Sequence, residues 1–424
     1  MTKGLTLARL FYQAGHNVIG ADFESHGALV CGRVSKSLSK FYSLRRPDKD
    51  AGVKPYSDDL LRIVAAEKVH LWVSCSGVAS ALEDGMIKER METETACKAI
   101  QFDVSTTQLL HEKDSFIQHA KDLGLKVPQT YKVTSLAAAE SLLARARLDG
   151  KHKFLLKPTG VQDADRADMT LLPKDSHTDT ISYLSRKHFS ADSSWILQQF
   201  ISGPEYCTHA LVVDGQVKAF VACPSAELLM HYEALPTDSK LTQAMLEFTT
   251  TFASHHGKGF TGHLSFDFMM ESDGSIYPIE CNPRAHTAVV LFSDTPQLVD
   301  AYLSALEDAG VEDSGVKANE LSDQHIQPDG DQKYYWVGHD VIELALAPLL
   351  SALTTLRLNR KLPSDLSRLL EHILWWRDGT FVSWDPAPWW WLYHVYWPMQ
   401  FLHALSAGKK WSRVNASTTK VFEC

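Results

Sequence analysis

The stretch DGSIYPIECNPRAH, Asp273 to His286, places a carboxylate, an amide and a guanidinium at alternate positions, Glu280, Asn282 and Arg284, straight after an apolar run. Residues two apart in a strand share a face, so all three project the same way as the strand gives way to its loop. Such a face suits a metal ion and a negatively charged group better than a hydrophobic core. Asp267, in SFDFMM, lies on the strand that the Asp273-Gly274 turn pairs with the one ending at Glu280. Two adjacent antiparallel strands then bring two carboxylates and an amide oxygen to one patch. Hard cations such as Mg²⁺ or Mn²⁺ take oxygen ligands of this kind, with phosphate oxygens completing the shell. Arg284 offers a bidentate donor to a phosphoryl or carboxylate group. Asp267 alone, between Phe266 and Phe268, would read as a surface carboxylate; the four together read as a site.

The chain of 424 residues is long enough for two or three domains. With 45% hydrophobic and 22% charged residues it reads as globular, and a net charge of -9 argues against a nucleic-acid partner. The seven cysteines are odd in number and form no C-x-x-C, which points to reduced thiols and a cytoplasmic compartment. The aromatic stretch APWWWLYHVYWPMQFLHAL, 387–405, is interrupted by His394, Pro398, Gln400 and His403. It fails as a spanning helix. A buried C-terminal helix is the expected reading, and a peripheral membrane contact is its alternative.

Residues 1–125 alternate helical and strand-like runs, Leu5–Tyr12, HNVIGADF, DDLLRIVAAEK and VHLWVSCS, and residues 1–112 are the expected first domain. This is the α/β pattern of a Rossmann-like parallel sheet, whose ligands collect at the carboxyl edge. Ser76 and Gly77, in the turn after VHLWVSCS, are therefore candidate substrate contacts. The chain opens inside a helix where such domains normally open with a strand, so a first strand is expected to be missing. From Lys113 a helix ended by Gly124 and a Pro-marked strand follow, then strands HKFLLKP and 194–223, the latter with a hairpin at Asp214-Gly215. The expected second domain spans 113–308 in two subdomains. A polar linker, 309–333, and a Trp-rich cap, 334–424, complete the chain.

Two lysines carry the argument further. Lys157 closes the apolar strand FLL, where an ammonium is out of place unless it meets an anion. Lys113 opens a helix, whose positive end disfavours a cation unless an anion sits nearby. In order, these lysines, LQQFISGPEYC, and D…E-x-N-P-R resemble the ATP-grasp superfamily across about residues 105–295. The resemblance implies an α+β ATP-grasp fold that closes on ATP. It implies that Lys113 and Lys157 hold phosphates, that Gln198 and the backbone near Ile201 read adenine, and that Glu205 holds the ribose. Asp267, Glu280 and Asn282 match the metal ligands, and Arg284 matches the arginine that stabilises the transferring phosphoryl group, with Lys157 beside it in catalysis.

The segments from Phe102 to Ser135, WILQQFISGPEYCTH, and from Gly262 to Gln297 look like the branch that makes mycosporine-glycine by joining an amino acid to the cyclohexenone 4-deoxygadusol. This resemblance implies an ADP-forming carbon–nitrogen ligase of secondary metabolism with small-molecule substrates, and it adds Arg166, His209 and His286 as candidate substrate contacts. The chain departs from the branch in lacking its first strand and Gly-containing loop, and in carrying Asp165 where a second basic residue is expected. The phosphate-side motifs equally suit a ligase that makes an amide from a true carboxylate. A nucleotide-binding protein without catalysis, docked at a membrane, is the reading from another class.

Overall fold

The computed structural model describes residues 2–24, 29–47, 50–77, 80–150, 152–158, 168–190, 195–225, 230–309, 325–355, 360–408, 411–415 and 420–423. Contacts divide the chain into two compact units. One comprises Met1–Val104, Cys207–Ser265 and Pro283–Cys424; the other comprises Ser105–Tyr206 and Phe266–Asn282.

The chain opens with helix α1 (Thr2–Gln13) and strand β1 (Ile19–Asp22), followed by β2 (Lys40–Ser43), α2 (Lys54–Glu67), β3 (Leu71–Val73), α3 (Ala81–Glu94) and β4 (Lys98–Ile100). β1 pairs with β2 and β3 with β4, both in parallel; the connection within the first pair carries the 3₁₀ turn Cys31–Val34 and that within the second carries α3. Tyr56, Leu60 and Val64 of α2 recur at helical spacing and pack with Ile87 and Met91 of α3 in one buried cluster.

Helices α4 (Val104–His111), α5 (Lys113–Asp122) and α6 (Leu136–Asp149) and strands β5 (Thr130–Val133), β6 (Phe154–Pro158) and β7 (Trp195–Gln199) follow. The three strands form an antiparallel sheet in the order β5-β7-β6. α6 is delimited by its ends: Ser135 accepts from the Ala138 N–H, and Gly150 closes it at φ 62°. One face of the sheet carries Val133, Phe154, Leu156, Trp195 and Leu197 into a core. The period of two sends Thr130, Leu155, Lys157, Ile196 and Gln198 to the other face.

Strands β8 (Glu205–Val213), β9 (Gln216–Pro224), β10 (His231–Tyr232), β11 (Gly262–Met270) and β12 (Ile276–Asn282) come next. A four-stranded sheet runs in the order β12-β11-β8-β9. β8 turns into β9 at Asp214 and Gly215, with φ of 49° and 75°, the mirror-image turn that suits strand twist. A Cβ on Gly215 would come within 2.9 Å of the Gly257 backbone, so only glycine fits. The loop between β7 and β8 is equally constrained: a Cβ on Gly203 would lie 1.9 Å from the Met270 carbonyl oxygen.

Of the expected linker 309–333, residues 310–324 lie outside the described ones, and Ile326 forms a parallel bridge to Ala219. Strands β13 (Tyr334–Tyr335) and β14 (Arg377–Asp378) join β10 in a small sheet, and β15 (Trp411–Asn415) pairs with β16 (Lys420–Glu423). The stretch 387–405 is helical throughout: Leu392, Tyr396 and Trp397 are buried, whereas Trp390, Leu402 and Leu405 are exposed. It is Val337–Thr354, with mean hydropathy 1.3, that is long and apolar enough to cross a membrane, by length and composition only.

The C-terminal region is tied to the first helix through charge. Arg9 Nε donates to Asp385 Oδ2 at 2.9 Å, and its Nη atoms donate to the Thr380 and Asp385 carbonyls at 2.9 and 2.8 Å. Ser35 Oγ and the Lys36 N–H donate to the same carboxylate at 2.7 and 2.9 Å. Both ionic side chains are buried, so removing one strands the other in low dielectric. Arg9→Met is therefore expected to cost about 3–5 kcal/mol, read as a lower urea midpoint with unchanged slope. Lys54→Met, at an exposed pair, should leave the midpoint in place.

Candidate functional site

In the unit built around α5, β5–β7 and β12, the alternation of β11 separates two kinds of surface. Phe266 and Phe268 are buried, with Phe266 stacked 5.5 Å from Phe116 of α5, while Asp267 between them points the other way. There Asn282 Nδ2 donates to Asp267 Oδ2 at 3.3 Å. Glu280, two residues before Asn282 on β12, accepts from Lys113 Nζ at 2.5 Å. That ammonium opens α5, where the helix dipole opposes it, and the Glu280 carboxylate supplies the offsetting negative charge.

Lys157 Nζ donates to Gln198 Oε1 at 2.9 Å, diagonally across the β6–β7 pair. Burial lowers the Lys157 pKa to about 8, with Lys113 pushing the same way and Glu280 and Glu205 opposing. Lys157 thus lies within electrostatic reach of Lys113, Glu280 and Glu205 in one unit. The chemistry of the donor set fits a hard divalent cation: Asp267 and Glu280 offer carboxylate oxygens, and Asn282 offers an amide oxygen once its amide is turned. The Lys113 ammonium already neutralises one of these carboxylates, which is the service a metal ion would perform.

The other unit gathers a second set. Lys3, in α1, is 2% exposed and donates to the Ser76 carbonyl at 3.0 Å and the Ala285 carbonyl at 2.9 Å. Burial and then Arg284 lower its pKa to about 7. His209 is buried and held down to about 3 by desolvation and by Lys3. His286 is pushed well down by burial, then by Arg284, His209 and Lys3. Both imidazoles are therefore neutral. His209 Nδ1 accepts from the His286 N–H at 3.3 Å, and His286 Nδ1 accepts from the Ala288 N–H at 3.2 Å, capping the turn Thr287–Phe292. Among the described residues each Nδ1 thus has a backbone partner, and Nε2 is the other ring nitrogen able to meet one.

The structure thus brings Lys113, Lys157, Gln198, Asp267, Glu280 and Asn282 together in pairs within one unit, and Ser76, Arg284, His209 and His286 around Lys3 in the other. Gln198 and Ile201 are buried, whereas Glu205, at the start of β8, is exposed. Gly77 has open space where a Cβ would stand. Arg166 lies outside the described residues. Its neighbour Asp168 is engaged locally: burial raises its pKa, but hydrogen bonds from Thr170, Tyr183 and Lys187 outweigh that and hold it well below the usual carboxylate range. Sequence reasoning missed Lys3. Its signal was position, since Lys3, Leu7 and Leu10 share one helical face and both leucines are core residues. It also missed His263, whose Nε2 lies 2.7 Å from the Tyr302 hydroxyl.

No protein-family model matches the chain, and no curated protein matches it closely enough to count. Solved structures do. The biotin carboxylase domain of 2-oxoglutarate carboxylase from Hydrogenobacter thermophilus, in complex with MgADP, ADP and bicarbonate, is similar at 12% identity and a TM-score of 0.50, covering 73% of this chain and 68% of that one. Biotin carboxylase from Campylobacter jejuni, as its β-γ-ATP complex, is similar at 15% identity and a TM-score of 0.52, covering 72% of this chain and 68% of that one. At these identities the likeness is one of fold. The mixed helix-and-sheet chain has the α+β ATP-grasp fold.

Proposed function

We propose that the chain is an ATP-dependent ligase that phosphorylates an acidic oxygen of a small molecule and lets an amine displace the phosphate. The observation that carries this reading is the coupled set Lys113–Glu280, Lys157–Gln198 and Asp267–Asn282 in an ATP-grasp fold. Cations and carboxylates placed side by side suit a metal–triphosphate, whose phosphates suit the lysines and whose metal suits the carboxylates. Lys113 and Lys157 would hold phosphate oxygens, Gln198 and the Ile201 backbone would read the base, and Glu205 would hold the ribose. Asp267, Glu280 and Asn282 would hold Mg²⁺, which when bound neutralises phosphate charge. Arg284 would meet the transferring phosphoryl group, and the Ser76–Gly77 turn, Arg166, His209 and His286 would line the acceptor side.

The most specific form follows the sequence resemblance: 4-deoxygadusol plus glycine, giving mycosporine-glycine. The vinylogous acid oxygen attacks the γ-phosphorus and ADP leaves. The amine nitrogen then adds to the carbon bearing the phosphate, phosphate leaves with the C–O bond electrons, and the nitrogen loses a proton. Lys3 and Arg284 concentrate positive charge beside neutral histidines, an environment that favours an anionic donor.

Purified protein incubated with Mg-ATP, 4-deoxygadusol and glycine should yield an adduct one water lighter than the summed substrates, with matching ADP. ADP release with another carboxylate alone would leave an amide-forming ligase, and no ADP with any acid would sink the proposal. Asp267→Asn and Glu280→Gln should each lower kcat/KM by about a hundredfold or more, because charge stabilisation by the metal is worth several kcal/mol.

Nucleotide binding should depend on pH through Lys157. The free protein holds this ammonium charged below about 8 and loses it above. Affinity for ADP should therefore fall as pH rises from about 7 to about 9, and binding in that window should take up a proton. Calorimetry in buffers of different ionisation enthalpy reads the uptake directly. Lys157→Met should flatten the slope and weaken binding roughly tenfold to a hundredfold, for a charge-assisted hydrogen bond worth about 1.5–3 kcal/mol.

A further inference from the structure

In the unit that holds Lys3, His231 of β10, Asp340 at the end of the helical turn Val337–Asp340, and His372 of the helix Leu362–Trp375 converge. His231 Nε2 lies 2.9 Å from Asp340 Oδ1, and His372 Nδ1 lies 2.5 Å from Asp340 Oδ2. One ligand atom from each lies within 4.8 Å of the others. Asp340 and His372 are buried, and His231 is half-buried. Aromatic rings enclose the trio: Trp376 sits 4.6 Å from His372 and 5.6 Å from His231, and Tyr335 sits 5.8 Å from His372.

We propose that these three side chains form a zinc-class metal site, separate from the nucleotide-side carboxylates. Two imidazoles and one carboxylate are borderline donors suited to Zn²⁺, and a His₂–carboxylate set leaves a fourth tetrahedral position for water. Donors about 2.1 Å from one ion lie about 3.4 Å apart in a tetrahedron, so the two histidine–carboxylate contacts would open by less than about an ångström and the widest separation would close by little more than one. The ligands come from three separate elements, so the ion would fasten the two C-terminal helical segments to β10 and stabilise the fold directly. Trp376 and Tyr335 pack against the imidazoles and hold their planes. A trio joined by hydrogen bonds alone is the competing description, in which both histidines donate to one carboxylate.

The two descriptions separate with zinc and cobalt as probes on the full chain. Wild type loaded with Zn²⁺ and dialysed without chelator should retain one ion per chain by elemental analysis, and its Tm should rise. Co²⁺ in its place should give the visible ligand-field bands of a four-coordinate site. His231→Gln, which changes the most exposed ligand and keeps a polar side chain, should bind zinc more than about a hundredfold more weakly, beyond the loss typical of an outer-shell change. Its far-ultraviolet circular dichroism should match wild type. Asp267→Asn should retain the ion. No retained zinc in wild type, equal retention in His231→Gln, or loss confined to Asp267→Asn would each overturn the proposal. None of these readouts depends on turnover, so failure of the ligase reading leaves this test intact.

Discussion

The period of two along β11 and β12 is the constraint on which the rest depends. A strand has no choice but to send neighbours to opposite faces, so a buried Phe266 and Phe268 oblige Asp267 to leave the core. Glu280 and Asn282 obey the same rule on the partner strand. Hydrophobic burial thereby fixes where the polar groups stand, at no separate expense in conformational freedom. β6 and β7 repeat the arrangement: Leu156 and Leu197 enter a core, and Lys157 and Gln198 are left on the opposite face, within hydrogen-bonding reach of each other. A fold of this kind builds its site as a by-product of packing its sheets.

Electrostatics then gives the polar faces their character. Lys157 and Lys3 both carry pKa values pressed down by burial, and each has a second cation, Lys113 or Arg284, pressing further. Keeping the Lys157 and Lys3 ammoniums charged in these surroundings is costly, and nearby carboxylates offset only part of that cost. Bringing an anion to each relieves both the desolvation of the ammonium and the repulsion between neighbours. Neutral His209 and His286 add no further charge to the second cluster, since burial and then the neighbouring cations disfavour their protonation. An anion brought beside either ammonium would raise its pKa again.

Much of this was legible in the sequence because it is local. The Asp214-Gly215 turn announces itself through residues that tolerate positive φ, and the structure gives both that conformation. Lys157 after FLL and the E-x-N-P-R spacing are equally short-range signals. What stayed hidden depends on partners remote in sequence. Arg9 reads as a solvated helical residue until Asp385 arrives to bury it, and Lys3 until the Ser76 and Ala285 carbonyls do. His231, Asp340 and His372 lie on three separated elements, and no spacing rule joins them. Periodicity assigned faces to helices and strands, but it carries no information on which distant face each one meets.

The same limit explains the Trp-rich region. The sequence favours a buried C-terminal helix over a membrane contact there, and it leaves open what that helix is buried against. In the structure Trp336, Leu392, Tyr396 and Trp397 belong to the same buried cluster as Leu7 and Leu10 of α1, Leu211 of β8 and Val221 of β9. Val337–Thr354 begins inside this arrangement, with Asp340 hydrogen-bonded to His231 and His372. Drawing that stretch into a bilayer would carry a carboxylate toward hydrocarbon while stripping it of both imidazoles. Its apolar length therefore coexists with an ionic anchor at its first turn, and the anchor holds the start of the helix to the protein.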